Sequence, residues 1–326
     1  MSEEASLMTT LVLAQTEATR LLPGTARLVG AARAFGRPVT VLVAGYGMGE
    51  AAARAARLEG VERVLLADDA CLAEQLAEPM AALLRPLSAE YDVIIGGMAS
   101  MAHREILPRL AGMLDVMALS DVLAIENEST FQRPAFAGNV VTTVRLLDDG
   151  PRLLLMRESA FEEAGTDGAR SAPVEKLAVP ADLPLPVRVI AEERHGESGP
   201  DLRSARLVLG MGRGASGEEA RRMLHELADR LNAAIAATRA VVDDGLAPNE
   251  WQVGQTGKRI APAVYVAFGI SGAHQHLAGI RDAGLIVAVN TDEEAPIFRA
   301  ADHGLVMDAT EVLRRLLEEA SAPKRA

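Results

Sequence analysis

The sequence predicts an α/β protein of two doubly wound domains, each with a mostly parallel sheet. Three observations support this prediction. The 326 residues suffice for about two domains of roughly 150 residues each. Short aliphatic runs alternate with amphipathic segments in both halves, a pattern typical of strands joined by helices on both faces of a sheet. Residues 165–204 are rich in Gly, Pro, Ser and charged side chains, which indicates a linker. The predicted domains are therefore 1–204, including this linker, and 205–326.

The first half begins with a strand at Leu11–Leu13. The elements predicted after it are a helix over 26–34, a strand over 39–44, a helix over 50–58, a strand over 64–67, a helix over 72–87 and a strand over 92–95. The runs Val140–Val144 and Leu153–Leu155 then flank the turn residues Asp148-Asp149-Gly150-Pro151, which predicts a β-hairpin or another antiparallel addition. A short strand is predicted at Val187–Ile190, inside the linker.

The second half repeats the alternation. Its predicted elements are strands over 207–209, 234–237, 263–268 and 285–289, and helices over 218–231, 275–280 and 311–319. Residues 260–280 carry no formally charged side chain and are long enough to span a bilayer. Pro262, Gly269 and the polar residues from Ser271 to His276 interrupt that stretch. It therefore predicts strand, turn and helix start, and no membrane span.

Composition excludes several classes of function. With 45 acidic against 33 basic residues the formal charge is -12, which speaks against a general nucleic-acid binder. The acidity is concentrated in residues 1–204, whose net charge is -10, against -2 for residues 205–326. The single Cys71 excludes an intrachain disulfide framework and a multi-cysteine zinc site, and no other metal site is predicted. The N-terminus lacks the pattern of a signal peptide, so a cytoplasmic protein is expected.

Glycine-rich turns supply the motifs that indicate a nucleotide. Gly212–Gly217 matches G-x-G-x-x-G between a strand and a helix, where backbone N–H groups can hold a pyrophosphate. The next strand ends in Thr238-Arg239 and not in an acidic residue, which disfavours NAD but leaves an NADP-dependent dehydrogenase open. Gly269–His276 forms a second turn of this kind, and two such turns in one domain indicate a dinucleotide. Val253–Lys258 lies between them in the sequence, as a tight turn that supplies an amide and a hydroxyl without the P-loop spacing. The turn Gly45–Gly49 has its third Gly one residue too early for the fingerprint, and is predicted to be structural.

These motifs together resemble one family. The second half contains Gly212-Arg213-Gly214, Thr238-Arg239, Val253-Gly254-Gln255-Thr256-Gly257, Gly269-Ile270-Ser271-Gly272-Ala273 and Gln275-His276 in the order and spacing of the electron-transfer flavoprotein alpha subunit. The first half contains Ala135-Phe136-Ala137-Gly138-Asn139, Met156-Arg157 and Phe161, which resemble the N-terminal domain of the same family. The resemblance covers nearly the whole chain.

The resemblance implies an FAD-binding C-terminal domain and a heterodimer with the smaller electron-transfer flavoprotein beta subunit. Such a protein carries electrons from flavin dehydrogenases to a quinone or other redox acceptor and has no substrate reaction of its own, so no catalytic residue is expected. The residues implied on the pyrophosphate, ribose and adenine side are Arg213, Ser271, Gln275, Asn290 and Asp308. Those implied near the isoalloxazine ring are Thr238, Arg239, Gln255, Thr256 and His276. Gly257, Gly269 and Gly272 complete the predicted cofactor-binding set.

The implied chemistry is electrostatic. A flavin that takes one electron without a proton becomes negative around N1 and the C2 carbonyl oxygen. The Arg239 guanidinium and a donor from His276 are expected to stabilise that charge, and Thr256 to hydrogen-bond near N5. One departure is His274, which stands where the family usually has an aliphatic residue. Two other functions stay open from the residues alone: the NADP-dependent dehydrogenase, for which no acid–base pair is found, and an adenine-nucleotide sensor, for which residues 9–160 offer no phosphate loop.

Overall fold

The chain folds into two compact units, residues 1–192 and 193–326. A computed structural model describes residues 9–138, 140–147, 149–166, 168, 171–191, 200–202 and 205–321. Asn139 of the resemblance and Asp148 of the predicted turn lie outside the described residues. The predicted boundary at 204/205 stays a prediction.

Unit 1 contains twelve strands and four α-helices among its described residues. They are β1 (Thr10–Leu13), β2 (Thr16–Glu17), β3 (Arg20–Leu21), α1 (Gly24–Arg33), β4 (Val39–Gly45), α2 (Gly49–Ala55), β5 (Val61–Asp68), α3 (Ala77–Leu87), β6 (Val93–Gly97), α4 (Met101–Leu114), β7 (Ala118–Val122), β8 (Ala124–Ile125), β9 (Thr130–Ala135), β10 (Val140–Arg145), β11 (Arg152–Met156) and β12 (Val174–Lys176).

A seven-stranded parallel sheet forms the centre of unit 1, in the order β12-β5-β4-β1-β6-β11-β7. Neighbouring residues of each strand point to opposite faces, so Val12 packs with α1 and α2 whereas Leu11 and Leu13 pack with α3 and α4. Both faces are therefore covered, as all-parallel sheets require. Strands β8, β9 and β10 form a separate antiparallel sheet, and β2 and β3 a short ribbon.

Unit 2 contains five strands and four α-helices among its described residues. They are β13 (Leu207–Met211), α5 (Glu218–Leu231), β14 (Ala234–Ala237), α6 (Arg239–Asp243), β15 (Val264–Phe268), α7 (His274–Ile280), β16 (Ile286–Asn290), β17 (His303–Val306) and α8 (Ala309–Ser321). The sheet is parallel throughout, in the order β14-β13-β15-β16-β17. Helices α5 and α8 bury one face, and α7 packs on the other.

The strand order of unit 2 reverses at one point. The chain passes from β13 to β14 on one side and then returns to β15 on the other, so the strand order reverses between β13 and β15. In open α/β sheets ligands bind beyond the carboxyl ends of the strands at such a switch point. The prediction of a two-domain, doubly wound α/β protein is confirmed.

The predicted hairpin is wrong in its pairing. Strand β10 pairs antiparallel with β9, where Val140 faces Ala135, while β11 lies parallel between β6 and β7. The physical reason is burial: Leu153, Leu154 and Leu155 form an unbroken apolar run that is buried on both faces, which suits the interior of a parallel sheet. The antiparallel addition that the sequence predicts is present, but in it β10 pairs with β9, a strand that was not predicted.

The predicted linker is partly structured. Strand β12 at Val174–Lys176 adds to the edge of the main sheet beside β5. The strand predicted at Val187–Ile190 is not formed; its side chains are exposed, Ile190 to 89%. A strand requires a neighbour to accept and donate its backbone hydrogen bonds, and no described residue pairs with this segment.

Two helix boundaries also differ from prediction. The helix predicted over 72–87 begins at Ala77 as α3, because Gln75 has φ +47° and interrupts a continuous helix. The helix predicted over 50–58 ends at Ala55. Within the described residues, no helix is long and apolar enough to cross a membrane.

Candidate functional site

The predicted site residues converge on one edge of unit 2. Because all five strands are parallel, their carboxyl ends lie on the same side of the sheet. The predicted residues follow or end these strands: Arg213 after β13, Thr238 and Arg239 after β14, Gly269, Ser271, Gly272, Gln275 and His276 after β15, Asn290 at the end of β16 and Asp308 after β17. The turn with Gln255, Thr256 and Gly257 reaches the same edge, because Gln252 bridges to Ala237, the last residue of β14.

Two glycine turns pack backbone to backbone at the switch point. The Gly214 N–H donates to the Gly269 carbonyl at 3.1 Å, and the Gly212 N–H donates to the Phe268 carbonyl at 2.9 Å. A Cβ on Gly212 would lie 2.2 Å from the Gly269 oxygen, so this approach requires glycine. The Gly212 amide is thus bonded to the last residue of β15 and the Gly214 amide to the second turn. The G-x-G-x-x-G segment supports its neighbour and offers few donors of its own.

The second turn keeps its donors free. Among the described residues, none accepts a hydrogen bond from the six consecutive amides of residues 270–275. Two carbonyls of the turn accept hydrogen bonds that hold it in place. The Asn290 Nδ2 donates to the Ile270 oxygen at 2.9 Å, and the Ile297 N–H donates to the Ser271 oxygen at 3.0 Å. Gly272 has φ +87°, and a Cβ there would lie 2.2 Å from the Ile297 nitrogen. Consecutive free N–H groups of this kind form an anion-binding concavity.

Asn290 and Asp308 have structural partners at this edge. The Asn290 Oδ1 accepts from the Asp292 N–H at 3.0 Å, while its amide nitrogen holds the second turn. The Asp308 Oδ1 accepts from the N–H groups of Thr310 and Glu311, at 2.9 and 3.1 Å, and so caps α8. Each residue therefore shapes the edge as well as lying on it.

The turn of residues 254–257 is fastened to the start of α7. The Gln255 N–H donates to the Gln275 carbonyl at 2.7 Å, and the Gln252 Nε2 donates to the Thr256 Oγ1 at 3.0 Å. Gly254 has φ +149°, and a Cβ there would lie 2.8 Å from the Gln275 oxygen. The side chains of Gln255 and Thr256 remain exposed, so they are available to a ligand.

Arg239 provides a positive charge at the open edge. It is the first residue of α6, its side chain is 68% exposed, and its Nε donates to the Asp243 Oδ2 at 3.2 Å. The Thr238 N–H donates to the Met211 carbonyl at 3.0 Å, which continues the β13–β14 pairing. Arg213 is also exposed, on the turn after β13. Both guanidinium groups are accessible to an anionic ligand.

His276 is buried, unlike the other side chains predicted to contact the cofactor. Its Nε2 lies 2.9 Å from the Tyr265 hydroxyl and its Nδ1 lies 3.1 Å from the Val253 carbonyl oxygen. Burial lowers the pKa of His276 to about 4, against a weaker opposing effect of the Val253 acceptor, so the ring is neutral at pH 7. Both ring nitrogens therefore have protein partners in this structure. The assignment of His276 as a flavin donor stays a prediction.

Sequence reasoning missed Tyr265, Asp243 and the Val253 carbonyl. One signal pointed to the first of them. Gly210 is the fourth of the five residues of β13, and a glycine inside a strand often marks the close approach of another group. A Cβ on Gly210 would lie 2.0 Å from the Tyr265 hydroxyl oxygen. No comparable signal marked Asp243, apart from its i,i+4 spacing from Arg239.

The glycine turn of unit 1 already holds an anion of the chain. The Asp68 carboxylate accepts from the Gly47 N–H at 2.6 Å and from the Met48 N–H at 3.1 Å. The donors of the Gly45–Gly49 turn therefore face a side chain from the end of β5. This arrangement agrees with the prediction of a structural turn and does not favour a nucleotide there. Within the described part of the chain, no group of three His, Cys, Asp or Glu side chains gathers as a metal site would require.

Comparison with known proteins gives consistent matches. The family model of the electron transfer flavoprotein domain matches residues 10–182, and that of the electron transfer flavoprotein FAD-binding domain matches residues 201–281. The chain is 48% identical over 292 residues to electron transfer flavoprotein subunit alpha of Paracoccus denitrificans, covering 90% of this chain and 93% of the relative. The protein of the same name in Pseudomonas aeruginosa is 41% identical over 309 residues, or 95% and 99% of the two chains. The mitochondrial protein of Arabidopsis thaliana is 40% identical over 325 residues, or 96% and 89%.

Proposed function

Because the chain belongs to the electron transfer flavoprotein family as an alpha subunit, we propose that its second unit presents FAD to redox partners from the carboxyl edge of its sheet. FAD is the cofactor of this domain, and the chain functions as an electron carrier. The placement of the cofactor on particular residues is our proposal.

The free amides of residues 270–275 are the observation that supports this placement most strongly. An FAD pyrophosphate carries two negative charges, and a run of unpaired N–H groups is the kind of donor set that binds such an anion. The turn lies at the switch point of the sheet, where dinucleotides bind in this architecture. Arg213 adds an exposed positive charge beside it. The residues present therefore fit the group.

Residues on the β14 side suit the redox-active ring. When bound, FAD supplies the capacity to accept and release electrons. Arg239 offers a guanidinium that favours negative charge near it, and Thr238, Gln255 and Thr256 offer polar atoms around the same part of the edge. We infer that these four side chains lie at the isoalloxazine end and that Ser271, Gln275, Asn290 and Asp308 lie toward the nucleotide end.

We propose a beta subunit as the permanent partner, as the word subunit in the names of the relatives suggests. The small antiparallel sheet of unit 1 offers a surface for it. Phe136 is 80% exposed at the tip between β9 and β10, and Val140 and Val141 of β10 are exposed beside it. Strand β10 also lies at the edge of its sheet, and among the strands that the structure describes only β9 pairs with it, which favours pairing with another chain. Exposed apolar side chains on such an edge are typical of an obligate interface.

The redox partners are proposed by class. We propose flavin dehydrogenases as donors and a quinone or another redox centre as acceptor, because a carrier without a substrate reaction needs one of each. The alternative of an NADP-dependent dehydrogenase has no support, since the matches are to electron transfer flavoproteins. The amides of Gly212 and Gly214, on which that alternative depended, already donate to the carbonyls of Phe268 and Gly269.

Gly272→Ala tests the proposed placement. Alanine at φ +87° with a Cβ 2.2 Å from the Ile297 nitrogen forces the turn to move, at a cost of about 1–3 kcal/mol. We expect FAD affinity, measured by flavin fluorescence quenching, to fall about ten-fold or more. Gly217→Ala is the matched control, because a Cβ there meets nothing within 4 Å; its affinity should stay within about two-fold. Equal affinities in the two folded variants would reject the turn as the anion site.

A further inference from the structure

A buried carboxyl group lies at the switch point of the unit 1 sheet. The strand order of that sheet reverses between β1 and β6, where Gln15 follows β1 and Gly97 ends β6. Glu158, which follows β11 in the sequence, reaches between the two loops. Its Oε1 accepts from the Gln15 Nε2 at 2.6 Å, and its Oε1 and Oε2 lie 3.0 and 3.2 Å from the donating Ala99 nitrogen. The carboxyl group therefore occupies the crevice in which open α/β sheets bind their ligands.

The partners of this carboxyl group are the kind that hold a bound anion. Within the described part of the chain, its hydrogen-bond partners are N–H groups, and none belongs to an arginine or lysine. Ala99 stands directly before Ser100, the N-cap of the 14-residue helix α4, and the start of a helix favours a negative group. Burial raises the pKa of Glu158, and hydrogen bonds from backbone amides and from the Gln15 side chain oppose that effect. The donors thus compensate a group that burial alone disfavours.

Two glycines make room for the carboxyl group and its donor. A Cβ on Gly97 would lie 2.1 Å from the Glu158 Oε1 and 2.2 Å from the Gln15 Nε2. A Cβ on Gly24, the first residue of α1, would lie 1.8 Å from the Gln15 Oε1. These distances are far below van der Waals contact, so a side chain at either position would displace Glu158 or Gln15. The backbone of unit 1 is built around this pair.

The two loops of the crevice are held in place by neutral groups. The Gln15 N–H donates to the Thr25 Oγ1 at 2.9 Å, and the Thr25 hydroxyl donates to the Gln15 carbonyl at 3.2 Å. On the other side, the Gly97 N–H donates to the His103 Nδ1 at 3.0 Å. Burial lowers the pKa of His103 to about 4, so this ring is neutral at pH 7. These contacts fix both walls of the crevice without involving Glu158.

Unit 2 uses the corresponding position differently. At its switch point the amides of residues 270–275 have no acceptor among the described residues, whereas the Ala99 amide of unit 1 donates to Glu158. The other glycine turn at the carboxyl edge of unit 1 is occupied as well, because Asp68 accepts from the amides of Gly47 and Met48. Two carboxyl groups of the chain thus bind donors that face a ligand in this architecture.

We propose that unit 1 is a self-liganded α/β domain: the carboxyl group of Glu158 is the built-in occupant of its ligand crevice and keeps nucleotides out, and without it the crevice binds a small carboxylate. The class of ligand follows from the geometry. Glu158→Ala removes the Cγ, the Cδ and both carboxyl oxygens, which correspond to the heavy atoms of acetate. The inference concerns unit 1 and goes beyond the proposed function, which places FAD on unit 2.

Thermal unfolding of the full chain in acetate and in chloride tests the proposal. In chloride, Glu158→Ala should lower the midpoint temperature by about 5 °C, because Gln15 and Ala99 lose their acceptor. Acetate in excess over its dissociation constant should raise the midpoint of the variant by about 3 °C relative to chloride at the same ionic strength. The wild type should show no such difference, because Glu158 fills the crevice. Trimethylacetate carries the same charge on a bulkier body and should not stabilise the variant.

Glu163→Ala is the matched control. It makes the same substitution in unit 1, at a glutamate that is 52% exposed and pairs with Arg27, and acetate should act on it as on the wild type. Equal responses of Glu158→Ala and Glu163→Ala to acetate would overturn the proposal, and so would equal stabilisation of Glu158→Ala by acetate and trimethylacetate. None of these measurements involves the FAD site, so a failure here is distinct from a failure of the proposed function.

A second variant covers the case in which Glu158→Ala folds in neither salt. Glu158→Asp withdraws the carboxyl group by one methylene, so the Ala99 amide loses its acceptor while the acidic group remains. Hydrogen exchange of the Ala99 amide should then be about ten-fold faster than in the wild type. An unchanged exchange rate would show that Glu158 does not occupy this donor, and would overturn the proposal.

Discussion

Replacing Arg239 by alanine is expected to change the redox potential of the bound flavin without removing the flavin. Arg239 is 68% exposed and its ion partner Asp243 is 61% exposed. An exposed pair of this kind contributes about 0–1 kcal/mol to folding, so the free energy of unfolding should change little. The free amides of residues 270–275 do not depend on Arg239, so FAD binding should persist.

The redox effect should be larger. A charge-assisted hydrogen bond or close ion contact is worth about 1.5–3 kcal/mol, which corresponds to about 60–130 mV in a one-electron couple. Solvent around the exposed guanidinium screens part of its interaction with the flavin, so a shift in potential at the lower end of the 60–130 mV range, about 60 mV, is expected. Loss of the positive charge makes the first electron harder to add, and the first midpoint potential of Arg239→Ala should therefore fall by about 60 mV.

The assay is a stepwise reductive titration with reference dyes, read from the flavin spectrum. Arg315→Ala is a closely matched control, because Arg315 is 62% exposed and pairs with Glu311 at the same i,i+4 spacing, in the middle of α8. Its potential should equal that of the wild type. If Arg239→Ala and Arg315→Ala give the same first potential, the reasoning that places Arg239 beside the flavin ring is refuted.

Two other predictions follow from burial and exposure. Phe136→Asp should abolish stable co-purification with a co-expressed beta subunit. Tyr46→Asp is the control, because Tyr46 is an aromatic residue 62% exposed elsewhere in unit 1, and this variant should retain the subunit. Retention of the subunit by both variants would exclude the β9–β10 tip as the interface. Burial lowers the pKa of His276 from 6.5 to about 4. Between pH 4 and pH 6.5 the unfolded state therefore binds more protons than the folded state. The contribution of the neutral ring to the free energy of unfolding is complete above pH 6.5 and is lost as the pH falls toward 4. Denaturant unfolding at pH 4.5 should show unit 2 destabilised by about 2–3 kcal/mol relative to pH 7. His276→Asn should flatten this dependence, and His303→Asn, at an exposed position, should leave it; an equally steep loss in both variants would contradict the assignment.

The helices and strands of unit 2 were largely predictable because local signals agree with tertiary packing. Helix α5 covers the predicted 218–231, preceded by Gly217 and followed by Asn232, whose φ of +49° ends it. Strand β14 covers the predicted 234–237. The convergence of the site residues was also predictable, since parallel strands place their carboxyl ends on one edge.

The remaining features depend on contacts between distant residues. Strand β9 was missed because Thr130–Ala135 mixes polar residues with Pro134 and becomes a strand only beside β8 and β10. The Asp68 carboxylate in the Gly45–Gly49 turn arrives from the end of the adjacent strand. Nothing in the local sequence indicates that the Gly212 and Gly214 amides donate to the carbonyls of Phe268 and Gly269, which are more than 50 residues away along the chain.

Amide hydrogen exchange with and without FAD tests the central claim most directly. We propose that the pyrophosphate binds the free N–H groups of residues 270–275, whereas the Asp68 carboxylate already occupies the donors of the Gly45–Gly49 turn of unit 1. Adding FAD to the apoprotein should therefore slow exchange strongly at residues 270–275 and leave residues 45–49 unchanged. Bound FAD with no added protection at residues 270–275 would contradict the account.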